Sequence, residues 1–266
     1  MTYNQALYLL KEEKIELSEI KDLFSLFDFD FNLIGVNGEK IIDEKKFNKY
    51  YKLIKDNYPI SYITKSYKTH LLDLYVDKHV LIPRSETIEF IYNYIIKNYD
   101  FNLKRILDLG SGSGIISLLI KKEFPLSIVE GVDISSKAVN ISKSNAKRNN
   151  LEVRYYISNF FKKINHKYDY IISNPPYVSN SKKTKELKYE PKIALFAKNN
   201  GLEEYEKIFK DIDSYLNNPG SVFIELEETN YEKIKNIFLK YNPKYKVDIY
   251  YDMNNKPRYL IGKKYE

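Results

Sequence analysis

The chain contains no cysteine and only three histidines. Without cysteine there are no disulfide bonds, no thiolate nucleophile and no cysteine-ligated zinc site. His70, His79 and His166 lie far apart along the chain and lack the spacing of metal ligands. We therefore expect no bound metal ion and no metal-dependent chemistry.

Long apolar runs are absent as well. No segment approaches the roughly 18 apolar residues that a membrane-spanning helix needs. Residues 1–5 lack the basic-then-apolar order of a secretory signal peptide. No oligomerisation motif is present. Together these absences predict a cytoplasmic monomer that has no membrane contact.

Acidic residues are fewer than basic ones, which gives the 266-residue chain a formal net charge of +7. A basic surface binds nucleic acids because it releases counterions from their phosphate backbones. Lysine, asparagine, isoleucine and tyrosine are abundant throughout the chain, however, as an A/T-rich genome would produce. The charge therefore has two interpretations: a compositional bias, or a basic face for an acidic partner such as the ribosome.

Residues 1–66 favour short helices. Apolar residues recur there at the three-to-four spacing of a buried helical face, for example at Leu23, Leu26 and Phe27. A further helix is expected from Asp43 to Lys55, since Pro59 prevents its continuation. We predict a small helical N-terminal domain.

The pattern changes twice after residue 66. In residues 67–84, Leu72, Leu74 and Val76 alternate with more polar residues, which predicts a β-hairpin linker. From residue 85 to residue 266, strand and helix patterns alternate, which is typical of an α/β domain with a doubly wound, mostly parallel sheet. The predicted helices are 86–97, 115–124, 136–149, 202–216 and 231–241. The predicted strands are 105–109, 127–132, 152–157, 168–173, 221–226, 247–251 and 259–262.

A glycine-rich loop joins the first predicted strand of this domain to the next helix. It comprises Gly110, Ser111, Gly112, Ser113 and Gly114, preceded by Asp108 and Leu109. Glycines allow a sharp turn and a close backbone approach to a ligand.

Asp133 ends the second strand, about 20 residues beyond the loop, where a carboxylate can accept both ribose hydroxyls of a nucleotide. Such a loop alone does not separate a nicotinamide dinucleotide from S-adenosylmethionine. The dinucleotide fingerprint needs glycine at the third place of G-x-G-x-x-G, whereas here Gly110, Gly112 and Gly114 alternate and Ile116 stands two residues beyond Gly114. The spacing therefore favours S-adenosylmethionine.

The segment Asn174-Pro175-Pro176-Tyr177 follows the fourth strand. Two prolines fix φ and remove two donors, so the Pro175 carbonyl is free to point into a site. This carbonyl and the Asn174 side-chain oxygen form a pair of acceptors for the two hydrogens of a planar NH2 group, while Tyr177 can cover its flat face. A rigid turn without chemistry is the alternative, but carboxyl ends of strands in open α/β sheets are where ligands bind.

With these motifs the chain resembles the protein-(glutamine) methyltransferases of peptide chain release factors, the HemK/PrmC family. The resemblance covers nearly the whole chain. Besides the loop and the segment 174–177, it rests on residues 59–63, 81–87, 190–195, 201–205 and 252–258.

The resemblance implies a Rossmann-like class I methyltransferase domain with a seven-stranded sheet in residues 85–266, and a helical domain in residues 1–66 that recognises a release factor. The implied reaction moves a methyl group from S-adenosylmethionine to the glutamine of a Gly-Gly-Gln motif, which would modulate translation termination. The loop 110–114 would hold the methionine part of the cofactor and Asp133 its ribose, with Phe160 near the adenine. Asn174, which also adjoins the cofactor, would bind the glutamine amide together with Pro175, Pro176 and Tyr177. Asn174, Pro175 and Tyr177 are the expected catalytic residues.

The sequence departs from the family pattern at four places: Ser85, Ser158-Asn159, Lys198-Asn199-Asn200 and Glu225-Leu226-Glu227. Arg84 and Glu190 are candidates either for shaping the substrate mouth or for a structural ion pair. An adenine amino methyltransferase acting on DNA or RNA is the main alternative, because the acceptor pair suits any planar NH2. No insertion large enough for a nucleic-acid recognition domain is present, so we expect a protein substrate and no direct nucleic-acid substrate. A noncatalytic binding module and a nicotinamide-dependent oxidoreductase are weaker alternatives.

Overall fold

A computed structural model describes residues 1–179 and 187–264. The chain divides into two compact units. One is built on Met1–Ser66 and includes Val76–Lys78, and the other contains Tyr67–Tyr75 and most of the chain from His79 onward. None of the helices in the described ranges is both long and apolar enough to cross a membrane.

The first unit is helical, in agreement with its hydrophobic periodicity. Its helices are α1 (Tyr3–Glu12), α2 (Leu17–Ser25), α3 (Ile34–Asn37), α4 (Glu44–Lys55) and α5 (Ile60–Thr64). Ala6, Leu10, Phe24 and Phe47 are fully buried in its core. The predicted helix 43–55 is present, and Asp43 caps it by accepting a hydrogen bond from the Lys46 amide.

The second unit contains the remaining helices and the strands of the residues that the structure describes. Its helices are α6 (Ser85–Phe90), α7 (Ile96–Asn98), α8 (Ile115–Glu123), α9 (Ser136–Arg148), α10 (Lys192–Leu195), α11 (Lys198–Gly201), α12 (Glu203–Asp211) and α13 (Tyr231–Tyr241). Its strands are β1 (Tyr67–Lys68), β2 (Asp73–Leu74), β3 (Arg105–Leu109), β4 (Ile128–Asp133), β5 (Arg154–Ile157), β6 (Tyr168–Ser173), β7 (Val178–Ser179), β8 (Phe196–Ala197), β9 (Leu216–Glu225), β10 (Lys246–Tyr251) and β11 (Pro257–Lys264).

Seven of these strands form one sheet in the order β10-β11-β9-β6-β3-β4-β5. Strands β3, β4, β5, β6 and β9 are parallel, and β11 runs antiparallel to both of its neighbours. The central strands carry apolar side chains on both faces because helices cover both faces of a parallel sheet. Leu107, Leu109, Ile171 and Ile172 are fully buried there.

Strands β3 and β6 and helix α13 have the bounds that the sequence predicts, whereas other elements differ. The predicted helix 86–97 is interrupted by a π-helical turn at Ile91–Ile95. Strand β9 begins at Leu216 instead of Ser221, because Leu216 already pairs with Tyr168 before a bulge. This irregularity accommodates Pro219, which cannot donate to a ladder.

Antiparallel pairing in the predicted linker 67–84 is confined to β1 and β2. At Asp73 and Tyr75 the backbone forms hydrogen bonds with side chains of α9. Asn145 of α9 accepts from the Tyr75 amide at 2.7 Å and donates to the Tyr75 carbonyl at 3.0 Å and to the Ser113 carbonyl at 2.9 Å. Asn149, one turn later, bonds in the same way to the Asp73 amide and carbonyl. Two asparagine side chains therefore hold the linker to α9 by bonding to its backbone amides and carbonyls, as a neighbouring strand would.

We expect Asn145→Ala to lower the free energy of unfolding by about 2 to 3 kcal/mol, because three backbone groups lose a partner at a fully buried position. Asn149→Ala is the matched control, since Asn149 is partly exposed and water can replace its bonds. We expect about 1 kcal/mol or less for the control. Denaturant unfolding followed by circular dichroism measures both values, and equal losses would contradict this account.

Candidate active site

The order of the strands reverses beside β3. The chain passes from β3 outward to β4 and β5 and then returns to the other side of β3 as β6. The loops that follow β3 and β6 therefore diverge from neighbouring strand ends and leave a crevice, as at other switch points of open α/β sheets. The Ser173 hydroxyl at the end of β6 donates to the Leu109 carbonyl at 2.6 Å and fixes the two strand ends together.

The glycine loop makes a tight turn at this edge. Gly110, Gly112 and Gly114 have φ values of 86°, 53° and 86°, in the left-handed region that favours glycine. An added Cβ at Gly110 or Gly112 would meet no atom within 4 Å, so these two positions face open space. Gly114 faces the protein, since its added Cβ would lie 2.8 Å from the Tyr155 hydroxyl. Gly110 and Gly112 thus leave room for a ligand, whereas Gly114 packs against Tyr155.

Asp133 supports the loop from the end of β4. Its carboxylate accepts from the Gly112 amide at 3.0 Å and from the Ser135 amide at 2.8 Å. A carboxylate has about four acceptor sites, so these amides leave acceptor capacity for the hydroxyls of a ligand. Burial raises the pKa of Asp133 although these amides oppose the shift.

Asp108 is a further carboxylate of the site, to which sequence reasoning gave no role. It is fully buried, and one of its oxygens accepts from the Ser117 amide of α8 at 3.1 Å. Its Oδ1 and the Ser111 hydroxyl are buried without a hydrogen-bond partner. Burial raises the pKa of Asp108 to about 7, against an ordinary value of 3.8. The signal in the sequence was an acid two residues before the first loop glycine.

A cavity of about 280 Å³ lies above the loop. This volume is near the lower end of the range for small-molecule sites. Among the residues of the sequence-predicted site it is lined by Gly110, Ser111, Gly112, Ser113, Asp133, Phe160, Asn174 and Pro176. Gly114, Pro175 and Tyr177 are outside this lining. Arg84 and Thr87 also line the cavity, and Thr87 contacts Asn174.

Phe160 stands in this wall in an unusual conformation. Its φ of 46° is rare for a bulky residue and stores strain. The Ser158 hydroxyl stabilises the turn by donating to the Phe160 carbonyl at 2.7 Å and accepting from the Lys163 amide at 3.1 Å. Ser158, one of the departures from the family pattern, therefore holds the aromatic ring in the cavity wall.

Asn174 and Tyr177 are tied to a buried carboxylate at the end of β9. Asn174 Nδ2 donates to Thr87 Oγ1 at 3.4 Å, and Thr87 in turn donates to Glu225 at 2.7 Å. The Tyr177 hydroxyl also donates to Glu225, at 3.1 Å. The adjacent Glu225 charge and burial hold the pKa of Tyr177 well above its usual value, so Tyr177 stays protonated and does not act as a base at neutral pH.

The chain passes close to Tyr177 a second time at Gly201. An added Cβ there would lie 2.1 Å from the Tyr177 carbonyl oxygen, and Gly201 has a φ of 90°. Asn199 and Asn200, where the family pattern has glycines, also adopt the left-handed region, with φ of 51° and 55°. Asparagine tolerates this region better than other residues with a side chain, so this departure preserves the turn.

Arg84 and Glu190 form an ion pair at 2.6 Å beside the cavity. The buried Glu190 carboxylate also accepts from the Ile82 amide at 3.1 Å. Glu190 is therefore paired twice with the segment that precedes α6, whereas Arg84 is partly exposed and lines the cavity. Within residues 1–179 and 187–264, no group of three or more histidine or acidic side chains could hold a metal ion.

Residues 89–193 match the family model Methyltransferase small domain. Over 224 residues the chain is 34% identical to a release factor glutamine methyltransferase of Streptococcus pneumoniae, with 82% of this chain and 80% of that protein covered. The chain belongs to the release factor glutamine methyltransferase family. A bifunctional methyltransferase of Rickettsia typhi is 36% identical over 257 residues, which cover 86% of this chain but only 49% of that protein. The chain thus spans about half the length of this second relative.

A methyltransferase from Pyrococcus furiosus has the same fold, with a TM-score of 0.56 at 22% identity over 82% of this chain and 99% of that one. The predicted Rossmann-like methyltransferase fold with a seven-stranded sheet is confirmed for this member of the release factor glutamine methyltransferase family.

The raised pKa of Asp108 should make the free energy of unfolding depend on pH. Because the folded chain holds this proton more tightly than an unfolded chain does, the stabilising contribution exists at low pH and is lost as the pH rises toward about 7. Between about pH 5 and about pH 7 the free energy of unfolding should fall by roughly 2 kcal/mol in the wild type relative to Asp108→Asn. Parallel pH profiles of the two proteins in denaturant unfolding would contradict the buried acid.

Proposed function

We propose that this protein transfers a methyl group from S-adenosylmethionine to the side-chain amide nitrogen of the glutamine in the Gly-Gly-Gln motif of peptide chain release factors, and so modulates translation termination. The observation that carries the proposal is the position of Asn174. Its side chain lines the same cavity as the open glycine loop, and its Nδ2 is already bonded to Thr87. The side-chain oxygen is therefore available as an acceptor beside the cofactor.

The cavity suits S-adenosylmethionine in shape and charge. Gly110 and Gly112 leave open space above the loop that side chains would fill, and Asp133 keeps acceptor sites for ribose hydroxyls. Asp108 lies beneath the loop and favours a positively charged ligand when ionised. Gly110, Ser111, Gly112 and Ser113 line the cavity and would hold the methionine part, with Gly114 completing the turn of the loop and Phe160 against the adenine.

When bound, S-adenosylmethionine supplies a methyl group whose bond to sulfur breaks as the bonding electrons pass to the sulfur. The protein positions the nitrogen that attacks. The Asn174 oxygen and the Pro175 carbonyl would accept the two N–H bonds of the glutamine amide, and Pro176 and Tyr177 would confine its flat group. Holding these hydrogens out of the conjugated plane localises the nitrogen lone pair toward the methyl carbon.

No side-chain base is needed before the attack. Positioning in a near-attack geometry contributes roughly 7 to 11 kcal/mol in favourable cases. After the C–N bond forms, the nitrogen loses one proton to water. The high pKa of Tyr177 agrees with this assignment, because a protonated phenol positions the amide without removing a proton.

The proposed partner is a release factor, which binds the helical unit of residues 1–66. The enzyme itself is proposed to be a monomer in the cytoplasm. Support comes from the family, whose member in Streptococcus pneumoniae is named for this substrate. The excess of basic residues is compatible with an acidic partner.

The proposal is tested by incubating the protein with labelled S-adenosylmethionine and three acceptors. These are a release factor, the same factor with the glutamine of its Gly-Gly-Gln motif changed, and an adenine-rich nucleic acid. We expect label on the unchanged factor alone. Label on the nucleic acid would favour the adenine amino methyltransferase instead, and no label on any acceptor would refute the proposed reaction.

We expect Asn174→Ala to lower kcat by about 100-fold or more, because one of the two acceptors is lost in the transition state. The Kd for S-adenosylhomocysteine should change much less. Asn140→Ala is the matched control, since Asn140 lies on the exposed side of α9, away from the cavity lining. A kcat of Asn174→Ala equal to that of the control would remove Asn174 from the catalytic residues.

A further inference from the structure

Glu225 is the most connected buried acid near the proposed acceptor site. It ends β9 and is 4% exposed. Three hydroxyls converge on its two oxygens: Tyr177 at 3.1 Å, Thr87 at 2.7 Å and Tyr259 at 2.8 Å. These three donated hydrogen bonds favour the ionised carboxylate, and they oppose the rise that burial causes in the pKa of Glu225.

The direction of these bonds constrains the neighbouring threonine. A threonine hydroxyl has one proton, and Thr87 gives its proton to Glu225. Toward any other group Thr87 can only accept. Besides its neighbour Tyr259, Thr87 meets Asn174, whose Nδ2 lies 3.4 Å from the Thr87 hydroxyl oxygen. The asparagine must therefore turn its NH2 toward Thr87 and its oxygen away.

This orientation matters because the two ends of an asparagine amide have nearly the same shape and opposite hydrogen-bonding roles. When its side-chain oxygen faces the substrate, Asn174 accepts a hydrogen bond from an N–H of the substrate amide. If the Asn174 amide were flipped, its NH2 group would face the NH2 group of the substrate, and a buried donor without a partner costs more than a normal hydrogen bond gains.

We propose that Thr87 is a positioning residue that fixes the amide orientation of Asn174, and that Glu225 imposes this orientation by making Thr87 an acceptor. This inference rests on the proposed function for its catalytic consequence. The orientation itself is a property of the protein alone. Thr87 lies in the first turn of α6 and lines the cavity, so one side chain links α6, β9 and the segment 174–177.

Three variants separate positioning from simple structural support. Thr87→Val keeps the shape and removes the hydroxyl, and Thr87→Ser keeps the hydroxyl. Tyr259→Phe removes another hydroxyl from the same Glu225 oxygen without contacting Asn174, and is the matched control for loss of one bond to the carboxylate. Melting temperature, the Kd for S-adenosylhomocysteine, and kcat and KM for the release factor are measured for each.

We expect Thr87→Val to lower kcat by about tenfold and to leave the Kd for S-adenosylhomocysteine within about twofold. Thr87→Ser should recover kcat to within about threefold of the wild type. Tyr259→Phe should lower the melting temperature as much as Thr87→Val does, with a smaller loss of kcat. A wild-type kcat in Thr87→Val, or a loss in Thr87→Ser as large as in Thr87→Val, would overturn the proposal.

A second readout is independent of any acceptor. In protein labelled with 15N-asparagine, the side-chain NH2 signals of Asn174 are assigned by their disappearance in Asn174→Ala. We expect slow hydrogen exchange of one of these protons in the wild type and in Thr87→Ser, and faster exchange in Thr87→Val. Equal exchange in all three proteins would refute the orientation. If the exchange result holds while no release factor is methylated, the proposed function fails and the orientation stands.

Discussion

The reversal of strand order beside β3 is the constraint on which the site depends. It brings the glycine loop after β3 and the segment 174–177 after β6 to one crevice, although about sixty residues separate them in the chain. The bond from the Ser173 hydroxyl to the Leu109 carbonyl fixes the distance between the two strand ends. A cofactor held by one loop and an acceptor held by the other would then meet without any movement of the sheet.

The acidic residues at the strand ends follow from the same geometry. Asp108, Asp133 and Glu225 lie at or near the carboxyl ends of β3, β4 and β9, and burial raises the pKa of each. Each is stabilised by amides or hydroxyls, which organise the loops around it. The hydrogen bonds that offset the cost of desolvating these carboxylates also fix the positions of the glycine loop, the Asp133 carboxylate and the Asn174 amide.

Much of the fold was predictable because its signals are local. The apolar residues of β3 and β6 and the period of α13 gave their bounds directly, and the glycine loop and Asp133 lie together at the carboxyl edge of the sheet, as their places after β3 and β4 predict. The pairing of Tyr75 with Asn145 was not predictable, since a side chain replaces a strand across 70 residues. The bond between Thr87 and Glu225 spans 138 residues and leaves no periodic signal in either segment. The turn at Asn199 and Asn200 shows why a departure from a glycine pattern can preserve the backbone conformation.

The central claim is that the protein delivers a methyl group to an amide nitrogen held beside Asn174. It is tested most directly by tandem mass spectrometry of a release factor after incubation with the enzyme and S-adenosylmethionine. The account predicts one added methyl group, located on the side-chain nitrogen of the glutamine in the Gly-Gly-Gln motif. A methyl group on another residue, or an unmodified factor in the presence of bound cofactor, would contradict it.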